Sequence, residues 1–535
     1  HQSDDRVPYY GVPVTAPTST AIAVPLPVDR STFYGTTIDH DDTRADVVTA
    51  KLTHRANDWL QLHNDSRVGF FDREFLAVAP SCNLTVPATP PANPNLPGTG
   101  TCGGNFYDGN PSTIPFVTRG GANGPYFLDQ WGVQNITTGV ADYHLGALKS
   151  QTVFGADMTY EYAERRNTNA YNAGTFPRPP ANAFDPNPIW INPQFINTNT
   201  RATDSTDFAV FTSEQLWLTD ELSLLGGVRW ERYHIESDLT TFGTINSGTG
   251  AFTATTPNTI VSDKVADDLV SPKVSVIYAP SATKIIYASW ARSAQPATGT
   301  ASASVGTPIT ATQSALDPTT SETWEIGART DLWSPAITFG VSLFNTERDN
   351  AKETDPATGG IIASGDQQRV RGVELSLNGM ITDHWSVAAS YTYLDTETVL
   401  ATAACSTAVG AALPCPVGVT NGSAVPNPAA IGKEIPFAAR NAATLWTTYD
   451  VTPRLTLGIG GRYTQKVWLN NTNTAEAPDY ITLEALARYA FDDNLALQVN
   501  GTNLLDRDDN YDQVANGRAA HAQGRAFTVS LTKGF

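Results

Sequence analysis

The chain has 535 residues and a net charge of −19, from 34 Lys+Arg against 53 Asp+Glu, and only 16% of its residues are charged, where about a quarter is usual for a soluble protein. That balance argues against nucleic acid as a partner, because phosphate binding needs a basic surface. No run approaches the roughly 18 uninterrupted apolar residues of a membrane helix, which excludes helical insertion.

The opening residues, "HQSDDRVPYYGVPV", contain neither an initiator Met nor a basic-then-apolar leader, so this N-terminus is not expected to be the start of a gene product. From there one unit recurs: two alternating strands, a tight turn, then a polar connection. Val47–Ala56 meets Leu60–Val78 at "NDW", and Trp131–Leu145 meets Thr152–Arg165 across "GALKS". Asp207–Leu218 pairs with Leu222–Glu236 across "TDE", Leu269–Tyr278 with Ile285–Arg292, and Thr323–Leu332 with Ile337–Arg348. Val370–Ile381 meets Trp385–Asp395 at "TDH", Ala439–Tyr449 meets Leu455–Leu469, and Ile481–Tyr489 meets Leu495–Leu505 at "FDDN". Ala526–Phe535 stands alone.

The connections opposite the tight turns are long, the longest being Asp4–Asp46, Ala79–Gln130, Arg166–Asp204 and Leu400–Phe437. Soluble domains seldom hold several such loops, since typical connections are about 4–6 residues. Short turns at one end and long loops at the other are the arrangement of an outer-membrane barrel. Parity agrees: in "LTLGIGGRY", Leu455, Leu457 and Ile459 alternate with Thr456, Gly458 and Gly460, which suits lipid on one side and a wet or protein-filled lumen on the other. A β-sandwich would turn its apolar face inward and carry short loops at both ends. Trp59, Trp217, Trp333 and Trp385 near the short turns read as an interfacial belt.

Four cysteines permit three connectivities. Cys82 with Cys102 and Cys405 with Cys415 lie in Gly/Pro/Ala-rich stretches, so local pairs in an oxidising compartment are expected. The alternation yields about 17 complete strands, an odd number, where a single-chain bacterial barrel has an even one. The expectation is that opening strands are missing.

"VRGVELSLNGMITDHWSVAASYTYLDTE" (Val370–Glu397), "NGTNLLDRDDNYD" (Asn500–Asp512) and the finish "GRAFTVSLTKGF" resemble the hairpin, strand exit and closing strand of TonB-dependent outer-membrane receptors. "DDRVPYYGVP" (Asp4–Pro13) resembles a loop of the ferric-siderophore branch, especially catecholate-type receptors, with Tyr9 where that motif often has Asp. The resemblance implies an all-β transmembrane antiparallel barrel of about 22 strands, with residues 1–535 its C-terminal part and the plug domain upstream, outside this sequence. It implies TonB-dependent uptake of a ferric siderophore across the bacterial outer membrane, no enzymatic activity and no permanently bound cofactor. Implied partners are the TonB–ExbB–ExbD complex through the upstream region, outer-membrane lipid and lipopolysaccharide, and the barrel assembly machinery, which would read Phe535 as a terminal signal.

A ferric catecholate is a flat-faced anion, so its site would combine aromatic surfaces with Arg. Candidates are Phe71, Arg73, Tyr107, Tyr126, Arg178, Trp190 and Tyr511, although a residue of this kind taken singly is more often one that packs a loop. Glu374 is expected to face the lumen, and Arg369 and Arg371 to meet lipid phosphates or a lumenal ion pair. His40 and Asp41 could ligate a metal, but a solvated acidic loop is the commoner reading, and no metal site is expected. "DRDDNYD" lacks the Gly and distal Glu of a calcium loop. The rivals are a receptor of the same architecture for cobalamin or an oligosaccharide, and a passive porin.

Overall fold

Alternation with period 2 separates two faces only in an extended chain, and the computed structural model of the protein contains no helix among its described residues. None is long and apolar enough to cross a membrane. The structure describes residues 1–9, 11–13, 25–26, 28–81, 116–121, 125–171, 181–182, 185–189, 194–245, 251–296, 317–332, 337–354, 361–407, 413–420, 424–508, 511–515 and 518–534.

One 18-stranded sheet dominates. In chain order its strands are Gln2–Arg6, His40–Arg55, Leu60–Leu76, Tyr126–Leu145, Leu148–Tyr171, Gln194–Trp217, Leu222–Ile245, Phe252–Ser281, Lys284–Gln295, Thr319–Asp331, Ile337–Thr354, Ile361–Thr382, Trp385–Leu400, Asn441–Thr452, Leu455–Thr464, Tyr480–Ala490, Leu495–Thr502 and Ala526–Lys533. From His40 onward each pairs antiparallel with the next. All the strands expected from alternation are present.

Two differences have physical reasons. Several strands run further at their long-loop ends than the alternation indicated: Leu148–Tyr171 has 24 residues and Phe252–Ser281 has 30. Only about 9–11 residues of a tilted strand cross the hydrocarbon. Above that height the ladder continues while the apolar face is no longer required. The second difference is Gln2–Arg6, placed by sequence at the mouth of a loop but here a strand paired with Asp41–Ala45. Its sequence, QSDDR, carries no alternation, and the Arg6–Asp41 ion pair holds it instead.

The short ends follow local chemistry. Leu145 and Leu148 are register partners across Gly146 and Ala147, with Gly146 at φ 66°, so the turn is tighter than "GALKS" and needs a residue tolerant of positive φ. Asn57 Oδ1 accepts the N–H groups of Trp59 at 3.0 Å and Leu60 at 2.8 Å, an Asx turn. Of the tryptophan belt, Trp59 and Trp385 are exposed, whereas Trp217 shares the inner parity and lies under the Lys149 ammonium at 4.5 Å. Trp333 lies outside the described residues.

Register brings the apolar residues of successive strands into one outer row. Phe70 neighbours Trp131, Val210 neighbours Trp230, and Val499 neighbours Val529. Ile459 is 55% exposed and Val529 66%, as a lipid-facing wall requires. Glu374, one residue out of step with the exposed row through Leu343 and Val373, has inner parity as expected. Arg369 and Arg371 share the outer parity: Arg369 pairs with Glu397, and Arg371 Nε donates to Asn345 Oδ1 at 3.1 Å. Concavities on this wall, such as the one between Val274, Trp290, Trp324 and Leu343, open toward lipid and are lined by outward apolar groups.

The sheet stays open at one seam. Ala526–Lys533 pairs with Leu495–Thr502 alone, and no pairing joins it to His40–Arg55 among the described residues. On both sides of the seam both parities are exposed, from Thr49 to Arg55 and from Phe527 to Lys533. Cys405 and Cys415 form the expected local disulfide, ten residues apart, in the connection before Asn441. Cys82, Cys102 and Phe535 lie outside the described residues.

Candidate ligand-binding site

Odd-numbered residues of Leu60–Leu76 face inward, which puts Phe71, Arg73 and Phe75 in one lumenal row. The ladder then carries that row sideways: Phe75 opposes Tyr126, Arg73 opposes Leu128, Leu128 opposes Arg165, and Arg165 opposes Arg201. These residues lie toward the long-loop ends, well beyond the about 10 residues that cross the bilayer.

The rings and cations converge. Phe75 and Tyr126 stack with centroids 5.0 Å apart and planes at 26°. The Arg73 guanidinium carbon lies 4.8 Å from the Phe75 ring centre and 5.8 Å from that of Tyr126. Arg165 approaches Tyr126 more closely, at 3.8 Å. Planar guanidinium against an aromatic face is a favourable cation–π geometry, and here Tyr126 is shared by two cations.

Second contacts fix the arginines. Asp41, its side chain 3% exposed, accepts Arg73 Nε at 2.6 Å and Nη2 at 2.9 Å, and Arg6 Nε at 3.0 Å and Nη2 at 2.9 Å. Burial pushes the Asp41 carboxyl up, but the hydrogen bonds from Arg73 and Arg6 outweigh it and hold the carboxyl below its usual range. Arg165 Nε donates to Asn167 Oδ1 at 2.7 Å, and Asn167 Nδ2 to Asn199 Oδ1 at 2.8 Å. Burial also lowers the Arg165 guanidinium, and that of Arg201 falls to about 10 through burial and repulsion from Arg165. Burial raises the Tyr126 phenol, against the pull of Arg73 and Arg165. A buried row in which desolvation and mutual repulsion disfavour the charge of two arginines is one that an anion would stabilise.

Lower on the inner wall the sign reverses. Arg229 contacts Glu231 at 2.8 Å, Asp157 at 3.4 Å and Asp207 at 3.6 Å. One cation among three carboxylates leaves this level net acidic.

Of the candidates read from sequence, Phe71, Arg73 and Tyr126 share the lumenal row. Tyr511 is not in that row and packs against the Val12, Tyr34, Val117 and Ala181 group and the Leu469, Ala475 and Ala477 group, with its ring 4.8 Å from that of His521. Tyr107, Arg178 and Trp190 lie outside the described residues. Sequence reading did not single out Phe75, Arg165 or Arg201. Their shared inner parity beyond the membrane span was the available signal. His40 Nε2 lies 3.3 Å from Glu74 Oε1, and Asp41 is committed to ion pairs with the two arginines. Asp506 serves a turn, accepting the Arg525 backbone N–H at 3.0 Å and pairing with Arg30 at 3.0 Å.

The chain is 25% identical over 525 residues to the catecholate siderophore receptor Fiu of Escherichia coli, covering 94% of this chain and 62% of that protein. It is 30% identical over 325 residues to the probable TonB-dependent siderophore receptor PiuA of Acinetobacter baumannii, covering 60% of this chain and 40% of the relative. The chain thus spans less than two thirds of these curated relatives. The crystal structure of the closed form of Fiu, the ferric-catecholate import receptor of E. coli, superposes with a TM-score of 0.77 at 21% identity, over 100% of this chain and 71% of that one. The PiuA crystal structure gives 0.77 at 22% identity, over 99% and 70%, and both likenesses establish the barrel fold. Residues 2–504 match the family described as TonB dependent receptor-like, beta-barrel. The chain therefore belongs to the TonB-dependent receptors, as an outer-membrane β-barrel of that family.

Proposed function

We propose that this chain is the barrel of a receptor that imports a ferric siderophore of the catecholate class, with energy supplied through TonB, ExbB and ExbD by way of a plug domain housed in the lumen. The observation that carries this reading is the convergence of Arg73, Arg165 and Arg201 with the Phe75–Tyr126 stack on the inner wall near the outer mouth. A catecholate complex presents negative charge and flat rings together. Guanidinium planes and aromatic faces answer both, and they do so within a chain whose net charge of −19 would otherwise repel the anion.

Cobalamin and oligosaccharides lack that charge, so receptors for them gain little from a buried arginine row. A passive porin would conduct steadily and would not need tight binding. Uptake of radiolabelled iron by cells carrying the receptor, supplied as a ferric catecholate, a ferric hydroxamate or no chelator, tests the reading. TonB-dependent uptake of the catecholate alone is expected. Steady ion conductance in planar bilayers without TonB, or growth on cobalamin or oligosaccharide with no iron phenotype, would overturn it.

A further inference from the structure

Glu214 faces outward. It lies in register between Thr152 and Gly226, on the same face of its strand as Phe208 and Val210, each 42% exposed. It stands three residues before Trp217, the last residue of the strand, so at about 3.3 Å per residue it is about 10 Å along the tilted strand from the short-turn end. A site this close to the short-turn end of a spanning strand is placed by the barrel geometry near the boundary of headgroups and hydrocarbon.

Its carboxylate is built in. Ser150 Oγ donates to Oε1 and Thr152 Oγ1 to Oε2, while Tyr143 Oη lies 3.3 Å from both oxygens. Ser150 is fully buried. Three hydroxyl groups thus surround the carboxylate, yet among the described residues no Arg, Lys or His forms an ion pair with Glu214. An ionised group at a lipid boundary without a counter-ion is costly, so the arrangement calls for a cation from outside the chain. There is room for one: a Cβ placed on Gly226, directly beside Glu214, would meet nothing within 4 Å.

We propose that Glu214, set by Ser150, Thr152 and Tyr143, is a seat on the outer wall for the primary ammonium headgroup of an aminophospholipid in the leaflet on the short-turn side. What covers this wall is lipid, and the small N–H-bearing cation found at headgroup depth is a primary ammonium. It can give the carboxylate a charge-assisted hydrogen bond. A trimethylated ammonium has the same charge and no N–H, and a glycerol headgroup has no cation, so both discriminate.

The test is native mass spectrometry of the intact receptor, released from detergent with phosphatidylethanolamine, phosphatidylcholine or phosphatidylglycerol added at equal concentration. The wild type should retain phosphatidylethanolamine about tenfold better than phosphatidylcholine, as one charge-assisted hydrogen bond implies. Glu214→Gln should erase that preference. Gly226→Lys, which has open space for its side chain and brings its own ammonium to Glu214, should erase it too while the receptor remains folded by heat-modifiability. No preference in the wild type, a preference that survives both substitutions, or copurification of a protein partner whose lysine cross-links to Glu214 in place of lipid would each overturn the proposal.

Discussion

The Arg165 guanidinium lies 3.8 Å above the centre of the Tyr126 ring, while its register partner Arg201 lies beside it on the next strand. The ring face stabilises the Arg165 cation, while Arg165 and Arg201 repel one another across the ladder, so a bound anion would relieve both. Arg165→Gln should weaken binding of a ferric catecholate about tenfold, the effect of one partly buried cation–π or charged hydrogen-bond contact. Arg165→Lys, which keeps the charge and loses the planar stack, should recover only part of it. Fluorescence-quenching titration of the purified receptor gives the affinities, and equal affinities for wild type and Arg165→Gln would remove this arginine from the site.

Most of the architecture was legible in the residues because a barrel wall must alternate wherever lipid touches it. "LTLGIGGRY" showed the two faces, and the turns "NDW" and "TDE" showed the short end. What alternation could not show was whatever lies beyond the bilayer: the long outer extensions, and the strand Gln2–Arg6, which an ion pair rather than a buried face holds in place. The site was half legible for the same reason. Arg73 and Tyr126 could be chosen as residue types, but only the ladder from Leu60–Leu76 to Gln194–Trp217 brings Arg165 and Arg201 to them.

The Arg6–Asp41–Arg73 group makes the docking of Gln2–Arg6 dependent on pH. The Asp41 carboxyl is held below its usual range in the folded protein, so its contribution is complete above the ordinary unfolded value of about 3.9 and is lost only as pH falls through the lower folded value. Hydrogen exchange at residues 2–6 should therefore remain slow down to pH near 4 and quicken below it. Release already at about pH 6, two units above the ordinary carboxyl value, would contradict the assignment. Asp41→Asn should speed that exchange at neutral pH, and by about 1–3 kcal/mol, the worth of hydrogen bonds to a charged group.

Leu457, Ile459, Leu497 and Val529 share the outer row. Replacing Ile459 by Arg should cost about 2–4 kcal/mol in reversible folding into vesicles. The same replacement at Thr456 or Gln498, on the inner row, should cost much less. Equal costs on the two parities would contradict the assignment of lipid and lumen faces.

Phe535 follows Ala526–Lys533 by two residues in the sequence, and recognition during assembly is the role proposed for it. Deleting it should slow insertion far more than it lowers the stability of receptor already inserted. Pulse labelling followed by a heat-modifiability gel separates the two effects, and unchanged insertion kinetics would remove the role.

The open seam makes the last prediction. Among the described residues Ala526–Lys533 is paired on one side only, and residues 46–55 of His40–Arg55 likewise, yet an unsatisfied backbone N–H or C=O in hydrocarbon costs several kcal/mol. A bilayer cannot hold two such edges facing lipid, so in the membrane other strands are expected between them; beyond the 18 of this sheet, about four would complete a barrel of about 22. In receptor taken from outer membranes, the amides of Ala526–Lys533 should be as protected from hydrogen exchange as those of Leu495–Thr502. Cysteines placed at Thr49 and Ser530 should not form a disulfide, because other strands keep them apart. Fast exchange along Ala526–Lys533 would mean that the edge tolerates exposure, and efficient Thr49–Ser530 cross-linking would mean that these two strands close a smaller barrel directly.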